Sequence, residues 1–238
     1  MSEDSEKIPF WEHFVELRRR LLVAVIALAA GSIVSFSLAE TVINYLAQPI
    51  GGIDKLQAIE VTETISVFMR VSLLCGFILA MPIILYEVLA FIVPGLTKSE
   101  RRWVYAAIPS ATILFLAGAA FTYYFMFPAA IPFLVGFMNV TTIPRLSDYI
   151  KFVTNMLFWI GISFQMPLII FVLAKVRIVN ASMLAKQWRI AVVVIAIVAA
   201  VVSPTVDPIN MGLLMLPLMA LYVLSVLLAA FANPKKKE

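Results

Sequence analysis

Apolar residues are concentrated in six long runs along the chain, and short polar segments separate these runs. A transmembrane helix needs about 20 apolar residues, and in lipid an uninterrupted apolar run can satisfy its backbone hydrogen bonds only as a helix. The pattern therefore predicts an all-α membrane protein with six transmembrane helices. The predicted spans are 21–38, 65–93, 103–127, 152–176, 190–202 and 209–231.

Two polar segments, 40–63 and 128–151, are predicted to be loops. Prolines lie within or at the ends of most spans after the first, and a proline removes a backbone donor and bends a helix. We therefore expect a bent, concave bundle in which the fifth and sixth spans are short. The fifth span has 13 apolar residues. It would be about 20 Å long, shorter than a hydrocarbon core of about 30 Å, and local thinning of the bilayer would accommodate it.

Basic residues are distributed unevenly between the two ends of the predicted spans. The N-terminal segment, the loops after spans two and four, and the tail hold 14 of the 18 Lys and Arg residues. The other four are Lys55, Arg70, Arg145 and Lys151. Basic segments remain in the cytoplasm, so both termini are predicted to be cytoplasmic. We expect one membrane domain over 1–238, with an amphipathic cytoplasmic segment at 1–20, a membrane core at 21–231 and a basic tail at 232–238.

The sequence offers few groups for chemistry inside a membrane. With 63% hydrophobic residues and a mean hydropathy of +1.01, the chain is not a soluble domain. It has one histidine, His13, and one cysteine, Cys75, which argues against a His/Cys metal site and excludes an internal disulfide. Phosphate-binding glycine loops and Gly-x-Ser-x-Gly motifs are missing. We therefore expect a protein that is not an enzyme, has no cofactor or metal, and does not bind nucleic acid.

Two acidic residues on separate predicted cytoplasmic segments are candidates for binding a strongly basic ligand. Glu16 lies in an amphipathic stretch with helical periodicity, and Glu100 lies in the basic loop after span two. If both face one pocket, they would form a receptor for such a ligand. A plainer interpretation of each remains open: Glu16 could pair with Arg20 at i,i+4, and Glu100 could form a capping box with Thr97.

Polar residues inside predicted spans are costly, and each needs an explanation. Arg70 and Glu87 lie near opposite ends of span two, where their side chains can reach the interfaces. Gln165 lies near the middle of span four and cannot. It could form an interhelical hydrogen bond, worth about 0.6 kcal/mol on average, or it could dock a partner helix. Asp207 precedes Pro208, a combination typical of a helix N-cap followed by proline at the first helical position.

Several short motifs occur in order along the chain. They are Glu12-His13-Phe14-Val15-Glu16-Leu17-Arg18-x-Arg20-Leu21, Pro82-Ile83-Ile84-Leu85-Tyr86, Ala90-Phe91-Ile92-x-Pro94-x-Leu96, Glu100-Arg101-Arg102, Phe125-x-Phe127-Pro128, Phe164-x-x-Pro167 and Ser203-Pro204-x-x-Asp207-Pro208. Together they resemble the signatures of the TatC family, the receptor subunits of the twin-arginine protein translocase. The resemblance covers nearly the whole chain, from about Phe10 to Phe231.

The resemblance implies a receptor, in the cytoplasmic membrane of a prokaryote, for signal peptides that carry two consecutive arginines on folded precursors. It implies that Glu16 and Glu100 bind the arginine pair. It also implies a hetero-oligomer with small single-span partners, TatA-like and TatB-like, and export driven by the proton-motive force. The other positions that the family treats as functionally sensitive are Arg18, Phe91, Leu96 and Pro49. Members of the family commonly have Glu at the position of Gln165. An amide cannot titrate, so a mechanism that needs a carboxylate there would not apply to this chain.

A short partner helix with its own polar residue would fit beside Gln165 and the short fifth span, in thinned lipid. We therefore predict that Met211 and Met215, on span six, contact such a partner. Two other classes of protein remain as alternatives. A small secondary permease would have a polar site at the midplane and internal repeats, and no clear repeat relates the two halves. A structural scaffold would not need two acidic residues on separate basic segments.

Overall fold

The computed structural model describes residues 10–92, 98–136, 143–175, 177–203 and 208–232, without the side chains at 10–13, 89, 92, 98–107 and 209. Within these ranges the chain is almost entirely helical, and an isolated β-bridge joins Gln57 to Arg145. The α-helices are α1 (Phe10–Ser35), α2 (Ala39–Ala47), α3 (Glu63–Ile92), α4 (Lys98–Phe121), α5 (Phe127–Gly136), α6 (Leu146–Ser163), α7 (Met166–Lys175), α8 (Ala181–Lys186), α9 (Trp188–Val202) and α10 (Pro208–Ala232). The predicted all-α fold class is confirmed.

Four helical stretches of the described chain are long and apolar enough to cross a membrane. They are Glu63–Val88, Ile108–Gly136, Leu146–Lys175 and Asn210–Ala232. A fifth candidate is the pair Phe14–Ser35 and Ala39–Ile50, which is bent by 77°. Helix α9 is apolar but has only 15 residues, in agreement with the predicted short fifth span. The protein is therefore a multi-pass membrane protein, and the count of six spans stays a prediction.

The predicted loop over 40–63 is wrong at its start, because α2 occupies Ala39–Ala47. This helix buries Ala39, Ile43 and Leu46 against the core, whereas the residues between them are mostly exposed. Apolar residues at i, i+4 and i+7 form one face of a helix. The apolar stripe is only two turns long. A search of the sequence for long apolar runs therefore does not detect this helix.

The predicted loop over 128–151 is wrong at both ends. The third span continues through Pro128 and Pro132 to Gly136, and α6 already begins at Leu146. A π-helical turn, Thr122–Met126, ends two residues before Pro128. A proline has no N–H, and its ring collides with the carbonyl four residues earlier in a regular α-helix. The wider π turn is a common way for a helix to absorb such a local irregularity.

The sixth span, predicted to be short, is not. Helix α10 has 25 residues, about 37 Å of helix, with Pro217 in its interior. A proline inside a membrane helix is tolerated where neighbouring groups compensate for the lost hydrogen bond. In the fourth span, by contrast, the α-helix is interrupted at Phe164 and Gln165, directly before Pro167 in the first turn of α7.

The core lies where α3 and α6 meet α2, α5, the end of α9 and the first turns of α10. Its central side chains include Val71, Phe127, Ile150 and Val153, all fully buried. Many large apolar side chains on the outer faces of the helices are exposed instead. This is expected of a bundle surrounded by lipid, where an exposed apolar face has no cost.

Candidate functional site

The position of the candidate site is set by the crossing of α1 and α3, at two glycines. A Cβ atom on Gly31 would lie 2.6 Å from the backbone oxygen of Gly76, so only glycine allows this approach. The two helices run antiparallel. Arg20 lies 11 residues before Gly31, and Glu87 lies 11 residues after Gly76. At 1.5 Å per residue, both lie about 16 Å from the crossing point and at the same level.

Arg20 bridges two carboxylates at this level. Its Nε and Nη2 donate to Oε1 of Glu16 at 3.0 and 2.6 Å, and its Nη1 donates to Oε2 of Glu87 at 3.0 Å. All three side chains are partly buried. The predicted i,i+4 pair of Glu16 with Arg20 is therefore present. Glu87, which the sequence placed near a membrane interface, joins the same group.

Arg20 occupies only part of the hydrogen-bonding capacity of the two carboxylates. Among the described residues, its bonds go to one oxygen of Glu16 and one oxygen of Glu87, and a carboxylate has two acceptor oxygens. A cavity of about 260 Å³ opens beside them and is also lined by Arg19, Val23 and Tyr86. Within the part of the chain that the structure describes, the arrangement holds one guanidinium and leaves one oxygen of each carboxylate unused by Arg20.

The other residues predicted for ligand binding are placed only in part. Phe91 is partly buried and lies four residues after Glu87, hence on the same face of α3. Arg18 is exposed on α1 and points away from Glu16, because two residues turn a helix by about 200°. Leu96 lies outside the described residues, and so does the side chain of Glu100, which is in the first turn of α4. The convergence of Glu100 with Glu16 stays a prediction.

Gln165 is buried, with 4% of its surface exposed, at the junction of α6 and α7. Its Nε2 donates to the backbone oxygen of Ala111 at 3.0 Å, which ties this junction to α4. Its Oε1 is buried without a hydrogen-bond partner in the described structure. The predicted interhelical hydrogen bond is thus present, and the alternative role in docking a partner stays a prediction.

Of the remaining predicted residues, Met211 and Met215 are partly buried on α10 and pack against core side chains. Pro49 is partly buried in a 3-10 turn that follows α2, Gln48–Ile50. Asp207 lies outside the described residues. Helix α10 begins at Pro208, as expected for a proline at the first helical position.

The structure also contains an ionic cluster around the buried Glu63 that the sequence did not reveal. The carboxylate of Glu63 accepts hydrogen bonds from the backbone N–H of Ser147 at 2.6 Å and of Ile59 at 3.0 Å, and from Nε of Arg145 at 3.0 Å. Arg145 also pairs with Glu60 at 2.7 Å, and the carboxylates of Glu60 and Glu63 raise the pKa of Arg145. The cluster holds the segment before α3 against the start of α6. The sequence signal was limited to opposite charges on loops of the same predicted side.

Comparison with known proteins gives one consistent result. A family model described as "Sec-independent protein translocase protein (TatC)" matches residues 12–217. The chain is similar to the TatC proteins of Carboxydothermus hydrogenoformans (34% identity over 236 residues, 98% of this chain and 97% of the relative) and of Aquifex aeolicus (34% over 238 residues, 97% and 98%). It is also similar to a solved structure described as "Crystal Structure of Twin Arginine Translocase Receptor- TatC". The TM-score is 0.83 with 33% identity, covering 93% of this chain and 99% of that one.

Proposed function

Because the chain belongs to the TatC family of Sec-independent protein translocase proteins, we propose that it is the subunit that recognises twin-arginine signal peptides. The ligand binds at the end of the membrane domain where Glu16 and Glu87 lie. Its two guanidinium groups are bound by carboxylates of α1, α3 and the start of α4, with Glu100 as the contribution of α4. The signal peptides are those of folded precursor proteins.

The observation that carries this proposal is the bound guanidinium of Arg20. Glu16 and Glu87 accept three charge-assisted hydrogen bonds from it, at 2.6 to 3.0 Å. Such bonds are worth about 1.5–3 kcal/mol each, and the planar fork of arginine matches a carboxylate in a way that lysine does not. The oxygens of these carboxylates that Arg20 does not use lie beside a cavity and suit the side chain of a second arginine.

The charge distribution supports a cytoplasmic location for this site. Both termini are cytoplasmic in our proposal, because 14 of the 18 basic residues lie on the side that carries them. The six spans are then the bent pair of α1 and α2, helix α3, α4 with α5, α6 with α7, the short α9, and α10. The membrane is the cytoplasmic membrane of a prokaryote.

The proposal includes small single-span partners of the TatA and TatB type and export driven by the proton-motive force. The partner helix lies against α9 and α10, where a 15-residue helix adjoins a 25-residue one and the bilayer is thinned. Single cysteines at Met211 or Met215 should therefore crosslink to a partner helix in intact membranes. A cysteine at Ile113, on the exposed face of α4, is the matched control and should not. Equal crosslinking at Ile113 would contradict the proposed surface.

The recognition step is tested by peptide binding to the purified protein. Glu16→Gln should weaken binding of an Arg-Arg peptide about tenfold, the effect of one charge-assisted hydrogen bond, and a Lys-Lys peptide should bind weakly to both proteins. Combining it with Glu100→Gln should be non-additive if both carboxylates hold one arginine pair. Glu40→Gln, an exposed site on α2, is the control. Wild-type affinity in the Glu16 and Glu100 double variant would refute this function.

A further inference from the structure

A second cavity lies on the membrane-facing side of the bundle, away from Glu16. It is a groove of about 660 Å³ with α3 as its floor, Leu28 of α1 on one side and residues of α6 on the other. Both α1 and α6 pack against α3. The floor is formed by residues of α3 that include Met69, Arg70, Leu73 and Phe77, and the α6 wall includes Asn155 and Phe158. The lining is therefore apolar except for Thr154 and the pair of Arg70 and Asn155.

Arg70 differs from the two arginines that form ion pairs in the described structure. Arg20 and Arg145 each pair with two carboxylates. In the described part of the chain, the hydrogen bond of Arg70 runs from Nη1 to Oδ1 of Asn155, at 3.4 Å, and no described carboxylate pairs with it. A cation on a membrane-facing surface is costly unless an anion compensates its charge. The groove thus offers a partly buried cation to an anionic ligand.

The depth of Arg70 in the membrane indicates where the anion comes from. Arg70 and Glu87 are 17 residues apart on the same helix, which is about 25 Å. This is close to the thickness of a hydrocarbon core, about 30 Å. If Glu87 and Arg20 lie at one interface, Arg70 lies near the other, and its long side chain reaches the headgroup level. Phosphate groups of lipids are concentrated there.

We propose that this groove binds an anionic phospholipid of the leaflet opposite the Glu16 end. The lipid phosphate accepts hydrogen bonds from the guanidinium of Arg70 and from Nδ2 of Asn155, whose Oδ1 is already used by Arg70. One acyl chain lies along the apolar floor, over Leu73 and Phe77, against Phe158. The phosphate compensates the charge of Arg70, and the chain fills a groove that the protein leaves open.

Lipid binding to the purified full-length protein tests this. Wild-type protein in neutral detergent is titrated with phosphatidylglycerol or phosphatidylcholine, and bound lipid is counted by native mass spectrometry. We expect preferential binding of phosphatidylglycerol and a loss of about tenfold in its affinity in Arg70→Gln. Lys151→Gln removes an exposed basic residue of α6 that does not line the groove, and it should bind as wild type does. Inorganic phosphate alone should not displace the lipid.

Two further measurements keep the test decisive. Leu73→Trp leaves Arg70 in place and fills the groove, so it should also lower phosphatidylglycerol binding, even if Arg70→Gln does not fold. Equal binding of the two lipids, or equal losses in Arg70→Gln and Lys151→Gln, would overturn the proposal. So would full displacement by inorganic phosphate, or displacement by a co-purified partner helix that crosslinks to a cysteine at Met69.

Discussion

At the scale of single residues, three arginines differ in whether a carboxylate of the protein compensates their charge. Arg20 joins Glu16 to Glu87, and Arg145 joins two acidic residues at the opposite end. Arg70 has an amide partner in the described structure and faces an open groove. The first two are compensated within the fold. Among the described residues, Arg70 pairs with no carboxylate, and Arg20 uses one oxygen of Glu16 and one of Glu87.

The first residue-scale prediction concerns Glu87, which no sequence motif singled out as a ligand-binding residue. In Glu87→Gln the carboxylate charge is lost, one hydrogen bond to Arg20 is weakened, and an acceptor for the ligand becomes neutral. We expect the affinity for an Arg-Arg peptide to fall about tenfold, while the protein stays folded. Fluorescence anisotropy with a labelled peptide measures this. An unchanged affinity, with Glu16→Gln impaired, would remove Glu87 from the site without affecting the role of Glu16.

A second residue-scale prediction concerns Glu63. Replacing it with Gln leaves the N–H groups of Ser147 and Ile59 with a weaker acceptor and Arg145 with one carboxylate fewer. Buried groups that lose charged partners destabilise a fold. We expect Glu63→Gln to lower the Tm by several degrees and to leave peptide binding at the other end unchanged. The matched control is the exposed Glu40→Gln; a similar loss of Tm there would argue against a special role of the cluster.

At the scale of elements, the close crossing of α1 and α3 brings Arg20 to the level of Glu87. The approach of Gly31 to Gly76 allows the backbones to touch, and Phe36 and Phe68 are in contact further along the same interface, with ring centroids 5.7 Å apart. Arg20 then reaches Glu87 because the helices are antiparallel and equal distances separate each residue from the crossing. Helix geometry, rather than a loop, places the two carboxylates.

Gly31→Ala tests this crossing. The added Cβ would meet the backbone oxygen of Gly76, which cannot move aside as a side chain can, so α1 must shift away from α3. Overpacking of this kind costs about 1–3 kcal/mol. We expect a lower Tm and weaker Arg-Arg peptide binding, since Arg20 and Glu87 separate. Gly212→Ala, in α10, has open space around its Cβ and should change neither; a loss there equal to that of Gly31→Ala would contradict the explanation.

At the scale of the whole molecule, α3 connects two chemically different ends. One end carries Glu87 and the cavity beside Arg20, and the other carries Glu63 and the ionic cluster that holds the segment before α3 against α6. In between, from Val71 to Tyr86, α3 has no charged residue. The two ends thus differ in packing: the Glu63 end is tied to α6 by hydrogen bonds, whereas a cavity lies beside Glu87.

The orientation of the whole molecule is itself testable. The excess of basic residues predicts that the loop at Lys98 lies in the cytoplasm and the loop at Asn139, outside the described residues, lies on the other side. Reporter fusions should therefore be active as cytoplasmic markers at Lys98 and as exported markers at Asn139. The reverse pattern would invert the molecule and place Glu16 on the wrong side for a cytoplasmic ligand.

Apolar run lengths determine that this chain is an all-helical membrane protein, and its ordered motifs already resemble the TatC signatures. These features are local, and lipid imposes helices on long apolar runs whatever the tertiary contacts. The pairing of Glu16 with Arg20 was also within reach, because residues four apart are neighbours on any helix.

Tertiary structure decided what depends on residues far apart in the chain. Three pairings depend on helix crossings and loop closures: that of Glu87 with the Glu16–Arg20 pair, that of Gln165 with a backbone oxygen of α4, and that of Glu63 with Arg145. A single sequence does not show these pairings. The same holds for α2, where neighbouring helices supply the packing that makes a short apolar stripe helical. Local pattern determines that a segment is a helix in lipid, and packing determines where that helix ends and which side chains it brings together.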